Sequence, residues 1–148
     1  MTRLLTILAG FSVGIALTAG LATLDASASP AAKGAKSATV TIRHQTRGCH
    51  SWAVNGGAYN PSQKVRIARG GTIRFVDNDI MPHKLVKTSG PAVKFIGKAN
   101  MSHMGASVTV RFSKAGVYKF TTKAGEDYMP GIKTTGEDNV LRLVVKVS

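Results

Sequence analysis

The chain has 148 residues and carries 20 Lys and Arg against 7 Asp and Glu, a formal charge of +13. Such a field suits acidic partners: an anionic cell surface, an acidic redox protein or nucleic acid. Nucleic acid is set aside, because the N-terminus reads as an export signal and the cations are spread along strands with no interleaved aromatic stripe.

Arg3 precedes an apolar run over residues 4–24, and Ala26, Ser27 and Ala28 form a small-residue cleavage site. A membrane anchor is the rival reading, since about 20 apolar residues can span a bilayer. Gly10, Gly14, Gly20, Ser12 and Thr18 dilute the run, and the cleavage site favours removal. Residues 1–28 are therefore read as a signal peptide, 29–37 as a short flexible linker and 38–148 as one domain. Exported chains of this kind are periplasmic or extracellular, with no membrane span once the signal is cleaved.

From Val40 onward, short alternating segments separated by Gly, Asn and Asp predict an all-β sandwich. Val40, Ile42 and His44 share one strand face. Residues 49–61 read as a loop, through Asn55-Gly56-Gly57 and Asn60-Pro61. Two strands follow on either side of a Gly70-Gly71 turn, and Asp77-Asn78-Asp79 turns the chain again. His83 and Leu85 face one way on the next strand, a looser stretch covers 88–105, and Val108, Val110 and Phe112 resume the alternation. Tyr118, Phe120 and Thr122 share a face. A polar loop over 123–139 leads to a closing strand with Leu141, Leu143, Val145 and Val147.

All four histidines, the single cysteine and three of five methionines fall between His44 and Met104. Imidazole, thiolate and thioether together suit copper. Acidic residues are nearly absent there apart from Asp77 and Asp79, which argues against calcium or magnesium. Zinc is open, although no paired Cys or His spacing supports it. Singly, each residue has a plainer role: His44 and His83 as hydrogen-bonded core-edge residues, Met81, Met101 and Met104 as core filler, and Cys49 as an inert thiol or an intermolecular disulfide partner.

Two stretches resemble the cupredoxin family. Residues 70–79 followed by Met81-Pro82-His83-Lys84-Leu85-Val86 look like the family's strand, Asn-containing turn and first copper histidine. Residues 112–120 look like its penultimate hairpin. The resemblance implies a Greek-key β-sandwich of the cupredoxin type, one copper ion, and His83 as a ligand. It also exposes a departure. Thr122 stands where the family's ligand cysteine would be, no histidine follows, and only Met129 resembles the methionine end of the late loop. The resemblance then implies a redistributed ligand set: Cys49 from the early loop facing His83, with His44 or His50 beside it and Met129 opposite. Met101, His103 and Met104 form either a second, softer copper site or a loop touching the first.

The expected function is that of an exported copper-binding protein, an electron carrier or a copper-handling protein and not an enzyme. Its partners would be the copper ion and an acidic redox protein or anionic surface. The alternative is a basic β-sandwich binding module at the cell envelope, without metal.

Overall fold

The computed structural model describes residues 34–44, 50–125 and 140–148. The expected signal peptide, Cys49, Met129 and most of the 123–139 loop lie outside the described residues. The described strands belong to one unit, Ala31–Ser148.

Among the described residues nine strands follow one another: β1 (Ala35–His44), β2 (His50–Val54), β3 (Ser62–Asp77), β4 (His83–Ser89), β5 (Lys94–Ile96), β6 (Asn100–Met101), β7 (Ser107–Arg111), β8 (Gly116–Ala124) and β9 (Arg142–Val147). β3 ties them together. Its first half pairs in parallel with β9, from Ser62↔Arg142 to Ile67↔Val147. Its second half lies between β1, parallel, with Val40↔Phe75, and β7, antiparallel, with Phe75↔Val108. β8 then joins β9 to β4, both antiparallel. The two halves of β3 thus belong to two layers, one built on β2, β1, β7 and β5 and the other on β9, β8, β4 and β6. This is the expected all-β, Greek-key sandwich of the cupredoxin type.

Alternation explains the packing. Val40, Ile42, Ile73, Phe75, Val108 and Val110 point inward from one layer, and Leu85, Tyr118, Phe120, Leu143 and Val145 from the other. Each is nearly or fully buried, while the residues between them are partly or fully exposed. Phe75 and Phe120 meet across the interior with ring centroids 5.6 Å apart, and Phe112 packs edge-on against Tyr118 at 5.0 Å. Burying side chains of this size contributes about 1.5–3 kcal/mol each.

Four local expectations need correction. The Gly70-Gly71 pair does not end a strand; β3 runs through it and changes layer there. Gly70 takes φ 82°, and a Cβ on Gly71 would lie 2.6 Å from the Ile67 side chain and 2.7 Å from the Lys36 carbonyl oxygen. Two glycines therefore let the chain bend and let β1 approach. Residues 50–54 form β2 instead of a loop, because pairing with β1 places Ile42↔Trp52 and buries Trp52 and Ala53 completely. Alternation is hidden there, since His50 to Ala53 are buried on both faces. Within the looser 88–105 stretch, β5 and β6 are short additions that pair with β7 and β4. Finally, β1 begins at Ala35, paired with Ile67, so residues 35–37 are strand and not linker.

Candidate metal centre

One end of the sandwich collects the C-terminus of β1, the start of β2, the end of β3 and the start of β4. The register makes this unavoidable: His44 pairs with His50, Ile42 with Asp77, and His83 with both Ala124 and Met101. Three of the four histidines therefore arrive together, each at a strand terminus.

The turn between β3 and β4 is fastened by its own carboxylates. The Asp79 amide donates to Asp77 Oδ1 at 3.0 Å, and the His83 amide donates to Asp77 Oδ2 at 3.2 Å. Asp79 repeats the device, accepting the Met81 amide at Oδ1 over 3.0 Å. Such side-chain-to-backbone bonds are why Asp is favoured in turns. The turn is also held to its surroundings: the Asn78 amide donates to the Ile42 carbonyl, and the Asp77 amide to that of Ala106, both at 2.9 Å.

Three imidazoles converge on Asp79. His50 Nδ1 lies 3.1 Å from Asp79 Oδ2, His83 Nε2 lies 3.5 Å from the same oxygen, and His44 Nδ1 is 3.8 Å from Oδ1. The His50 and His83 rings meet edge-on with centroids 4.6 Å apart. Asp79, His50 and His83 are buried, whereas the His44 side chain is 42% exposed. The other nitrogen of His83, Nδ1, is 3.3 Å from the Thr122 hydroxyl.

The electrostatics follow from burial. Desolvation pushes the Asp77 carboxyl up to about 6, against the lowering influence of His83 and the two amide bonds. Desolvation also raises Asp79, but the hydrogen bond from His50, the His83 imidazole close by and the Met81 amide outweigh it. The Asp79 carboxyl is held well below the usual carboxylate range. The centre thus combines a firmly ionised carboxylate with three imidazoles.

The donor set fits a transition-metal ion. Bonds of about 2.0–2.1 Å to imidazole nitrogen or carboxylate oxygen imply donor-to-donor edges of roughly 3.3 Å in a tetrahedral site, and the observed separations straddle that figure. Donor atoms of His44, His50 and Asp79 all lie within 4.8 Å of one another. His83 Nε2 is buried without a hydrogen bond, an unusual state for an imidazole nitrogen unless something else fills it. An ion bound here would take imidazole lone pairs, so each coordinating nitrogen must be unprotonated when the ion is held.

The structure brings His44, His50 and His83 together, where the sequence reading placed either His44 or His50 beside His83. Cys49 and Met129 are outside the described residues. The Met101, His103 and Met104 stretch is dispersed: Met101 is fully buried in the core, His103 Nδ1 lies 3.1 Å from the Met104 carbonyl, and the Met104 side chain is exposed. Asp79 was missed as a site residue. Its signal was present, because Asp77 and Asp79 are the only Asp or Glu residues among the described ones and they flank the turn before His83. Both are buried, so the surface of the described residues carries no acidic side chain.

No protein-family model matches the sequence, and neither does any curated protein. Among solved structures, the chain is similar to a purple cupredoxin from Nitrosopumilus maritimus, with 20% identity, a TM-score of 0.42, and coverage of 75% of this chain and 99% of that one. It is also similar to a Cu(I) form of an amicyanin variant, with 14% identity, a TM-score of 0.38, and coverage of 74% and 82%. A laccase-like multi-copper oxidase from Ochrobactrum sp. overlaps at 15% identity and a TM-score of 0.48, over 80% of this chain and 32% of that one. These likenesses concern the fold alone.

Proposed function

We propose that this protein binds one copper ion through His44, His50, His83 and Asp79, as an exported, non-enzymatic electron carrier or copper-handling protein. The carrying observation is the convergence of three imidazole nitrogens on one buried, ionised carboxylate. Copper is favoured over zinc because, for a given nitrogen and oxygen donor set, copper(II) binds more tightly than zinc(II). When bound, copper supplies a one-electron couple. The protein supplies two buried imidazoles, a neutralising carboxylate, and His44 as the half-exposed donor at the mouth. Cys49 precedes His50 directly and is the residue from which a thiolate would join the set; Met129 would add a thioether. Export rests on the N-terminal signal, and the carboxylate-free surface of the described residues suits an acidic redox partner or anionic envelope surface.

Titration of the mature protein with copper(II), followed by visible and EPR spectroscopy, tests this. One equivalent should bind, and His83→Ala and Asp79→Ala should each weaken binding at least tenfold. Cys49→Ser should abolish any sulfur-to-copper charge-transfer band. Retention of wild-type copper affinity by both His83→Ala and Asp79→Ala would overturn the assignment. The same basic surface supports a second reading, a metal-free binding module, which predicts no copper uptake and salt-sensitive adsorption to anionic vesicles.

A further inference from the structure

We propose that Thr122 orients His83, turning its Nε2 toward the metal and placing the ion on the β1–β2 side of the imidazole. This rests on the copper-site reading above. The β4–β8 register sets Leu85 opposite Thr122 and His83 opposite Ala124, and Thr122 shares the inward face of β8 with Tyr118 and Phe120. Its hydroxyl reaches His83 Nδ1 at 3.3 Å. The opposite edge of the ring, Nε2, is buried without a hydrogen bond and looks toward Asp79 Oδ2 at 3.5 Å.

A thiolate at position 122 would draw a metal to Nδ1. A neutral hydroxyl is a weak metal ligand but both donates and accepts hydrogen bonds, so it satisfies Nδ1 in either tautomer. In metal-free protein the Thr122 hydroxyl donates to Nδ1, while Nε2–H faces Asp79. In loaded protein Nδ1–H donates to Thr122 Oγ1 and the Nε2 lone pair faces the ion. One proton leaves Nε2 for solvent and one is taken up at Nδ1. The donors that complete the set, His44 and His50, come from the side that Nε2 faces. Thr122 is a positioning residue, and the side chain at 122 decides which edge of His83 is available.

Nitrogen-15 NMR of the imidazoles tests this, with zinc(II) as a diamagnetic probe beside copper(II) titrations. Loaded wild-type protein should show a protonated His83 Nδ1 and a metal-shifted Nε2. Thr122→Ser should preserve both signals. Thr122→Val should displace the Nδ1 resonance and lower affinity for either ion about 10–100-fold, the usual effect of losing an outer hydrogen bond to a ligand. A metal-shifted Nδ1 in wild-type protein, or a Thr122→Val variant with unchanged affinity and imidazole signals, overturns the orientation while leaving copper binding intact. Failure of wild-type protein to take up either ion overturns both.

Discussion

The backbone amide of His83 is bonded to the side chain of Asp77 at 3.2 Å, so the last residue of β3 fixes the first residue of β4 across the turn. The same carboxylate accepts the Asp79 amide. Two of the proposed donors therefore owe their positions to a residue that is not itself a donor. Asp77→Ala should leave two buried amides unmet, at a cost of about 1–3 kcal/mol each, and should loosen Asp79 and His83 together. Thermal unfolding of metal-free protein reads the first effect, and copper(II) affinity the second. A variant as stable as wild type would show that the turn does not depend on this carboxylate.

The two aspartates give stability opposite dependences on pH. Asp77 is raised to about 6 in the folded protein, so the native state holds more protons than the unfolded state between about pH 4 and 6. Its contribution to stability is lost as pH rises through that window, by up to roughly 3 kcal/mol. Asp79 is lowered; its contribution is present above the ordinary carboxylate range and lost as pH falls below it. Denaturant unfolding of metal-free protein at stepped pH should show Asp77→Asn losing the decline between pH 4 and 6. Asp79→Asn should lose the acid-side decline. Parallel curves for all three proteins would contradict both assignments.

Copper uptake should release protons at acidic pH, because any imidazolium among the donors must lose a proton before its lone pair is available. Apparent affinity should then rise with pH across the acidic range. Calorimetry in two buffers of different ionisation enthalpy should give different apparent binding enthalpies; identical values would mean that no proton leaves.

Charge repulsion is built into the sheet surface. Arg66 stands opposite Lys146, and Lys84 opposite Lys123, pairings that cost stability when like charges face each other. Lys146→Glu should stabilise metal-free protein by about 0.2–1 kcal/mol, and moderate salt should do so without mutation by screening the repulsion. Chemical denaturation at low and moderate ionic strength is the measurement, with no salt effect as the contrary result.

Most of the sandwich was legible because its inner strands have one face in the core and one toward water, and alternation reports that directly. Residues 50–54 were illegible for the opposite reason: with His50 to Ala53 all buried, no period remains to read. The β3 bend was misread because two adjacent glycines signal a turn and a layer change in the same way. At the site, His44, His50 and His83 were visible through residue type and strand position. Asp79 was overlooked because two carboxylates in a cation-rich chain look like turn residues; its second role depends on the β1–β3 register, which joins segments distant in sequence.

The Ala26-Ser27-Ala28 stretch leads to the expectation that exported protein begins close to Ser29. Intact mass of material recovered outside the cytoplasm checks this; a chain retaining Met1 and sedimenting with membranes would refute it.

Because β3 serves both layers, its hydrogen bonds connect two regions that would otherwise be free to loosen separately. Its last residue, Asp77, braces the histidine end, while its first six pair with β9. Opening the sandwich at the histidine end strains the same chain that holds β9. Amide exchange in β9 should therefore slow when an ion is bound, making the slowest-exchanging amides a gauge of occupancy.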